Sequence, residues 1–132
     1  MEITYKTGVV PTTQDVIALY ERAALPRPTD DAERIGKMYE NSNLIVTAWD
    51  KEKLVGVSRS ITDWVWSCYL ADLAVDPDYH ASGIGRKLVE ITKEKLGDQS
   101  MILLLSVPTA MTYYPKIGFL KEDRGFLMPR EK

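Results

Sequence analysis

The stretch Asp72-Leu73-Ala74-Val75-Asp76-Pro77-Asp78-Tyr79-His80-Ala81-Ser82-Gly83-Ile84-Gly85-Arg86-Lys87-Leu88 constrains this chain more than any other. A strand ends at Val75, a Pro-Asp turn follows, and a loop of small residues opens directly into a helix. The first N–H groups of a helix have no intrahelical partner, and the helix dipole adds positive potential beside them. Ala81, Ser82, Gly83 and Gly85 leave that backbone accessible, so the turn suits a phosphate or pyrophosphate. Two phosphate motifs do not fit. A Walker A loop needs Gly-Lys-Ser/Thr, whereas Gly85 is followed by Arg86-Lys87-Leu88. The dinucleotide fingerprint needs a third small residue where Leu88 stands. Gly-x-Gly alone fits equally a helix entry that binds nothing.

The elements around this turn follow from periodicity and punctuation. Residues 2–7 alternate as a first strand. Thr12 caps a helix with Val16, Ile17, Leu19, Tyr20 and Ala24 on its apolar stripe, and Pro26 and Pro28 stop it. A second helix is predicted from Asp30 to Asn41. Leu44–Trp49 and Leu54–Ile61 form a hairpin, and a third long strand runs from Trp66 to Val75. Gly83–Leu96 is a helix ended by Gly97. The apolar run Met101–Ser106 is predicted to be a central strand covered on both faces. A short helix at 108–116 and two short strands, 119–121 and 125–128, complete the chain. This order gives an α/β (α+β) fold, a mixed sheet with helices on its faces. No repeat, linker or low-complexity tract divides it, so residues 1–132 are expected to form one domain.

Composition narrows the function. Lys and Arg total 17 against 19 Asp and Glu, a formal net charge of −2, so no basic excess marks a dedicated nucleic-acid binder. Cys68 and His80 are the single cysteine and histidine, which rules out a disulfide and a Cys/His metal cluster. No apolar run reaches the roughly 18 residues of a membrane span. The first residues, Met1-Glu2-Ile3-Thr4-Tyr5, do not read as a signal peptide, so a cytoplasmic location is expected.

Val75-Asp76-Pro77-Asp78-Tyr79-His80-Ala81-Ser82-Gly83-Ile84-Gly85 resembles the acetyl-coenzyme A signature of the GNAT superfamily of N-acetyltransferases. His80 stands where Arg or Gln is usual. A second block, Ala110-Met111-Thr112-Tyr113-Tyr114-Pro115-Lys116-Ile117-Gly118-Phe119, is similar to the Tyr-x-Lys-x-Gly-Phe region near the C-terminus of that superfamily. The resemblance covers roughly the whole chain and is strongest from Tyr69 to Phe119. It implies a mostly antiparallel sheet with helices on both faces and acetyl-coenzyme A as cosubstrate, without a metal. Strand Leu73-Ala74-Val75 would splay from its neighbour to hold the pantetheine arm. The N–H of Leu73 or Ala74 would polarise the acetyl oxygen. His80, Ala81, Ser82, Gly83, Ile84, Gly85 and Arg86 would cradle the pyrophosphate. Two departures bear on chemistry. Ala71-Asp72 replaces the strand Glu that many relatives use as base, and Val107 replaces a common Asn.

Moving an acetyl group from a thioester to an amine requires a positioned thioester, a polarised carbonyl, a deprotonated amine and a protonated leaving thiolate. Tyr114 matches the superfamily's acid. A phenol with a reference pKa near 10 stays protonated at neutral pH. Its alternative role is packing beside Phe119. Asp72, the only carboxylate in the third long strand, is either a base or ammonium ligand, or a structural acceptor for a neighbouring loop or strand. Alternation aims it away from Ala71 unless a bulge shifts the register. Arg27, in the Pro-rich connector, would meet a carboxylate or phosphate, or solvent. Trp64 and Trp66 are candidates for an aromatic wall, sheet packing or a subunit interface. Cys68 reads as inert core.

The expected acceptor is a primary amine on a small molecule, with a protein lysine or N-terminal amine as the alternative, and with no nucleic-acid or membrane partner. The competing reading is a non-catalytic acyl-coenzyme A-binding module. The resemblance implies a homodimer, since small members of the superfamily often pair; Gly125-Phe126-Leu127-Met128 supports it by presenting apolar residues at a sheet edge, and the alternative is a monomer whose edge Arg124, Arg130, Glu131 and Lys132 protect.

Overall fold

The computed structural model describes residues 2–132. Four antiparallel strands lie in chain order: β1 (Thr4–Thr7), β2 (Leu44–Asp50), β3 (Lys53–Thr62) and β4 (Cys68–Val75). Helices α1 (Thr13–Arg22) and α2 (Ala32–Glu40) cover one face, and α3 (Ile84–Leu96) covers the other. The result is a mixed α/β fold, as the element order predicts.

Local chemistry explains the helix boundaries. The Thr12 hydroxyl accepts from the Asp15 N–H at 3.1 Å, and the Asp31 carboxylate accepts from the Arg34 N–H at 3.1 Å. Each cap satisfies one of the free donors at a helix start. Val16, Leu19 and Tyr20 of α1 and Ile35 of α2 are fully buried against Ile45, Val57 and Ala74. On the opposite face Ile84 and Leu88 pack on Val46, Ala48 and Val55. Each fully buried aliphatic side chain of this kind contributes about 1.5–3 kcal/mol.

Two bulges shape the sheet. Trp49 pairs with Leu54 while Ala48 pairs with Gly56, leaving Val55 extra. Arg59 pairs with Asp72 while Ser60 pairs with Leu70, so Ala71 is the extra residue in β4. A bulge adds twist and re-aims the side chains beside it.

The C-terminal third departs from the sequence expectation. Residues 101–106 do not form a central strand covered on both faces. The segment makes one parallel bridge, Leu103 to Tyr69, and Met101, Leu103 and Leu105 are 54%, 45% and 61% exposed. No helix covers the face they share, so a continuous apolar run here marks a half-covered edge. In place of a helix at 108–116 stand two tight 3₁₀ turns, Pro108–Ala110 and Tyr114–Ile117. Pro108 and Pro115 have no N–H to extend a helical ladder. The expected strands at 119–121 and 125–128 are absent among the described residues, because no second backbone supplies their ladder.

Candidate active site

β4 and the segment after it separate where the fold makes its cleft. The Met101 N–H donates to the Trp66 carbonyl at 3.1 Å, and the Leu103 N–H to Cys68 at 2.8 Å. The Leu70 N–H returns a bond to the Leu103 carbonyl at 2.9 Å. Beyond this point, among the described residues, no backbone bond joins β4 to residues 104–107. The two backbones diverge around a cavity of about 770 Å³.

The register decides which backbone groups face that cavity. The Asp76 N–H donates to Val55 on β3 at 2.8 Å. Alternation along an antiparallel ladder therefore turns the Ala74 N–H toward β3 and the Leu73 and Val75 N–H groups outward. Of the two candidates for polarising an acetyl oxygen, Leu73 has the right direction. Leu73, Ala74 and Val75 all line the cavity.

The glycine turn forms its far end. Asp76 is buried, accepts from the Asp78 N–H at 2.9 Å, and pairs with Arg22 at 2.7 Å. It thereby fixes the Pro77–Ser82 turn. The Tyr79 hydroxyl ties that turn to β2 by donating to Asp50 at 2.6 Å. Gly83 adopts a left-handed φ of 67°, which a side chain would strain, and α3 starts at the next residue. The Lys87 N–H is the first to bond within the helix, to Gly83, so the N–H groups of Ile84, Gly85 and Arg86 remain free for a ligand. His80, Gly83, Ile84, Gly85 and Arg86 border the cavity, while Ala81 and Ser82 sit exposed on the turn outside its lining. This open backbone, with no acidic side chain in the cavity lining, fits a pyrophosphate.

Tyr113 and Tyr114 form the opposite wall. The Tyr113 hydroxyl lies directly over Gly85, so the missing Cβ is what lets it approach. The Tyr114 ring meets Phe119 edge-on at 5.6 Å and Tyr113 at 5.3 Å. Burial, and next the neighbouring Tyr113, push the Tyr114 phenol above its usual range, against a lowering effect of Arg27. Tyr114 therefore stays protonated at neutral pH. Arg86 donates to the Lys116 carbonyl at 2.8 Å and fastens this wall to α3.

Asp72 is 1% exposed and lies outside the cavity lining. Arg27 approaches one carboxylate oxygen at 2.6 Å, and Arg59 the other at 2.7 Å. Tyr20 donates to the second oxygen at 2.6 Å and sits 2.5 Å from the Tyr39 hydroxyl. Burial raises the carboxyl pKa, but the bonds and charges of Arg59, Tyr20 and Arg27 outweigh it and hold the group below the usual range. Such a carboxylate favours the structural-acceptor reading of Asp72 over that of a base. Its role is to hold Arg27, whose other nitrogens reach the carbonyls of Pro26 and bulged Ala71. Arg27 in turn lines the cavity.

Trp64 and Trp66 lie on the β3–β4 loop, outside the cavity lining, where the Asp63 carboxylate accepts three backbone N–H groups. Cys68 is buried and its thiol is pushed up by burial, so it is inert. Arg59, Tyr20, Tyr39 and Asp76 were not legible as site residues. The available signal was a lone Asp in an apolar strand, which needs polar partners somewhere in the fold. Among the described residues no cluster of His, Cys, Asp and Glu could hold a metal, and no helix is long and apolar enough to cross a membrane.

The chain matches the family model "Acetyltransferase (GNAT) domain" over residues 19–127. It is 28% identical over 92 residues to an uncharacterized N-acetyltransferase, ycf52, of Pyropia yezoensis, covering 65% of this chain and 53% of that relative. It is 30% identical over 77 residues to GCN5-related N-acetyltransferase 2, chloroplastic, of Arabidopsis thaliana, covering 57% of this chain and 30% of that protein. The chain thus spans about half the length, or less, of these curated relatives. Its fold superposes on a probable acetyltransferase, SA2161, of Staphylococcus aureus with a TM-score of 0.84 at 24% identity, covering 98% of this chain and 99% of that one. A GNAT family protein of Streptococcus pneumoniae, SP0256, gives 0.81 at 23% identity over 99% and 100% of the two chains. With strand splay, helix entry and tyrosine wall in the order its two sequence blocks require, this chain belongs to the GNAT acetyltransferase family.

Proposed function

We propose that this domain transfers an acetyl group from acetyl-coenzyme A to a primary amine on a small molecule, by direct attack in a ternary complex. The observation that carries the proposal is the parting of β4 from residues 104–107 directly above the free N–H groups of α3. Acetyl-coenzyme A supplies an activated thioester. Ile84, Gly85 and Arg86 hold the pyrophosphate, with His80 beside them. The outward edge of Leu73 and Val75 holds the pantetheine arm, and the Leu73 N–H stabilises the oxygen on which charge develops. The amine nitrogen bonds to the acetyl carbon, the carbon–sulfur bond breaks, and Tyr114 protonates the leaving sulfur.

No carboxylate is among the residues lining the cavity, so the amine releases its proton to water in this open cleft. Arg27, held by Asp72, lines the cavity and acts on the Tyr114 phenol. It suits an amine substrate that also carries an anionic group. The proposal places the protein in the cytoplasm, with neither nucleic acid nor membrane as partner. The near-balance of charge supports that reading.

Release of free coenzyme A measured across a panel of amines, amino acids and lysine peptides tests this. Amine-dependent release is expected, strongest for an anionic small amine. Binding of coenzyme A without turnover of any amine would make the domain an acyl-coenzyme A sensor instead.

A further inference from the structure

Arg27 carries a charge that its own fold does not balance. Asp72 is the single carboxylate between two arginines, and among the described residues neither Arg27 nor Arg59 has another ion-pair partner. Arg59 is buried with Asp72, so these two neutralise each other inside the fold. Burial pushes the phenols of Tyr20 and Tyr39 up, so they stay protonated and change nothing in this balance. The cluster keeps one positive charge, and Arg27 is its member that lines the cavity.

The guanidinium is also fixed in direction. Its Nε donates to Asp72, one terminal nitrogen to the Pro26 carbonyl and the other to the Ala71 carbonyl. A guanidinium has five N–H groups, so one remains free on each terminal nitrogen. A rigid pair of donors on two nitrogens matches the two oxygens of a carboxylate. A phosphate dianion would bring more charge than the cluster leaves open.

The surroundings limit the rest of the ligand. Ala24 and Leu25 precede Arg27 in the chain, Leu70 precedes the Ala71 carbonyl that Arg27 holds, and all three line the cavity. No acid lines it, so a second ammonium has nothing to pair with there. Leu73, whose N–H faces the cleft, lies two residues after Ala71, at most about 7 Å along a strand. That short span suits an amine one carbon from the carboxylate.

We infer that the amine acetylated at this site is that of an apolar α-amino acid, its carboxylate on Arg27 and its side chain against Ala24, Leu25 and Leu70. The inference rests on the acetyl transfer proposed above. The nitrogen bonds to the acetyl carbon and the carbon–sulfur bond breaks. Water takes the two protons that the ammonium loses, and Tyr114 protonates the sulfur and is reprotonated by water. The products are the N-acetyl amino acid, the coenzyme A thiol and one proton.

Coenzyme A release is measured with leucine, leucinamide and isoamylamine, which share one apolar body and differ in the carboxylate. Leucine should show a kcat/KM at least about tenfold above either analogue, because each leaves the Arg27 charge unmatched. In Arg27→Gln the ratio should fall to near one, with folding checked by circular dichroism. Arg27→Lys, which keeps the charge and loses the paired donors, should lower the ratio as well and serves if the glutamine variant does not fold. Equal turnover of the three compounds, better turnover of lysine peptides than of leucine, or a ratio kept in a folded variant would overturn the inference and leave acetyl transfer standing. Turnover of none removes acetyl transfer instead. Calorimetry on the coenzyme A-loaded protein then decides the site: leucine binding without leucinamide binding upholds it, and any other pattern overturns it.

Discussion

The two long walls of the cleft are built on opposite principles. The β4 wall is over-determined: Asp72 alone gathers Arg27, Arg59 and Tyr20, and β4 pairs along its length with β3. The wall from Leu104 to Ile117 rests on one parallel bridge, two 3₁₀ turns and the Arg86–Lys116 bond. The rigid wall carries the backbone edge with the oxyanion donor proposed above, whose direction would have to stay fixed during the reaction. The compliant wall carries the tyrosines, past which the proposed cosubstrate would enter and leave. Substitutions in the first wall should therefore cost stability, and those in the second should cost rate or affinity.

The largest stability effect is expected at Asp72. Asp72→Ala leaves two arginines facing each other in a buried site, a loss of about 3–5 kcal/mol by the usual cost of breaking a buried pair. Urea unfolding of the variant measures it. A change under about 1 kcal/mol would mean the β4 wall is no more rigid than the tyrosine wall. The same carboxylate sets an acid limit. Its folded pKa is depressed, so its stabilisation is complete above the unfolded value of about 3.9 and is lost as pH falls through the folded value. Wild type should lose stability steeply below about pH 4. Asp72→Asn should start less stable and fall less over the same range.

Tyr114→Phe tests the other wall. It removes one hydroxyl and little volume, so the melting temperature should stay within a degree or two, about 0.5 kcal/mol. Turnover should fall roughly ten- to a thousandfold, the scale of a positioned proton donor. An unchanged rate constant, in an assay where chemistry limits turnover, returns Tyr114 to packing. The rigid wall has no counterpart variant that separates rate from stability so cleanly.

The same division governs what was legible in the sequence. β2, β3, β4 and α3 are bounded by local signals: alternation, the Asp50–Lys53 turn, the Asp-Pro turn and Gly97. The bulge at Ala71 and the charge cluster at Asp72 are not local. Arg27 lies 45 positions from Asp72, and nothing in either neighbourhood announces the pairing. Residues 101–106 misled for a different reason. A run of apolar residues looks alike whether it is buried on both sides or forms an edge with one uncovered face. The Tyr113-Tyr114 block carries the family resemblance although its expected helix is replaced by two short turns, because residue types carry the resemblance and two prolines shorten the turns.

The smallest predicted difference is the most direct measure of compliance. Gly56 and Gly85 both sit where an added Cβ would meet a neighbour too closely. At Gly56 the neighbours are Ile84 Cγ2 at 2.8 Å, Leu88 Cδ1 at 3.2 Å and Ala48 Cβ at 3.3 Å, locked between the sheet and α3. At Gly85 the close contact is the Tyr113 hydroxyl, the free end of a ring on the compliant wall. Gly56→Ala forces a close-packed core apart and should cost about 1–3 kcal/mol, as overpacking usually does. Gly85→Ala displaces one tyrosine tip. Alanine also favours the helix over glycine by about 1 kcal/mol, so the net stability change should lie within about 0.5 kcal/mol of zero. The cost at Gly85 should appear instead in cosubstrate binding, since the methyl group would stand at the proposed pyrophosphate cradle. Protection of the protein against heat by coenzyme A should weaken for Gly85→Ala and persist for Gly56→Ala. Equal destabilisation by the two variants would show that the tyrosine wall is as firmly packed as the sheet, and the contrast between the walls would fall.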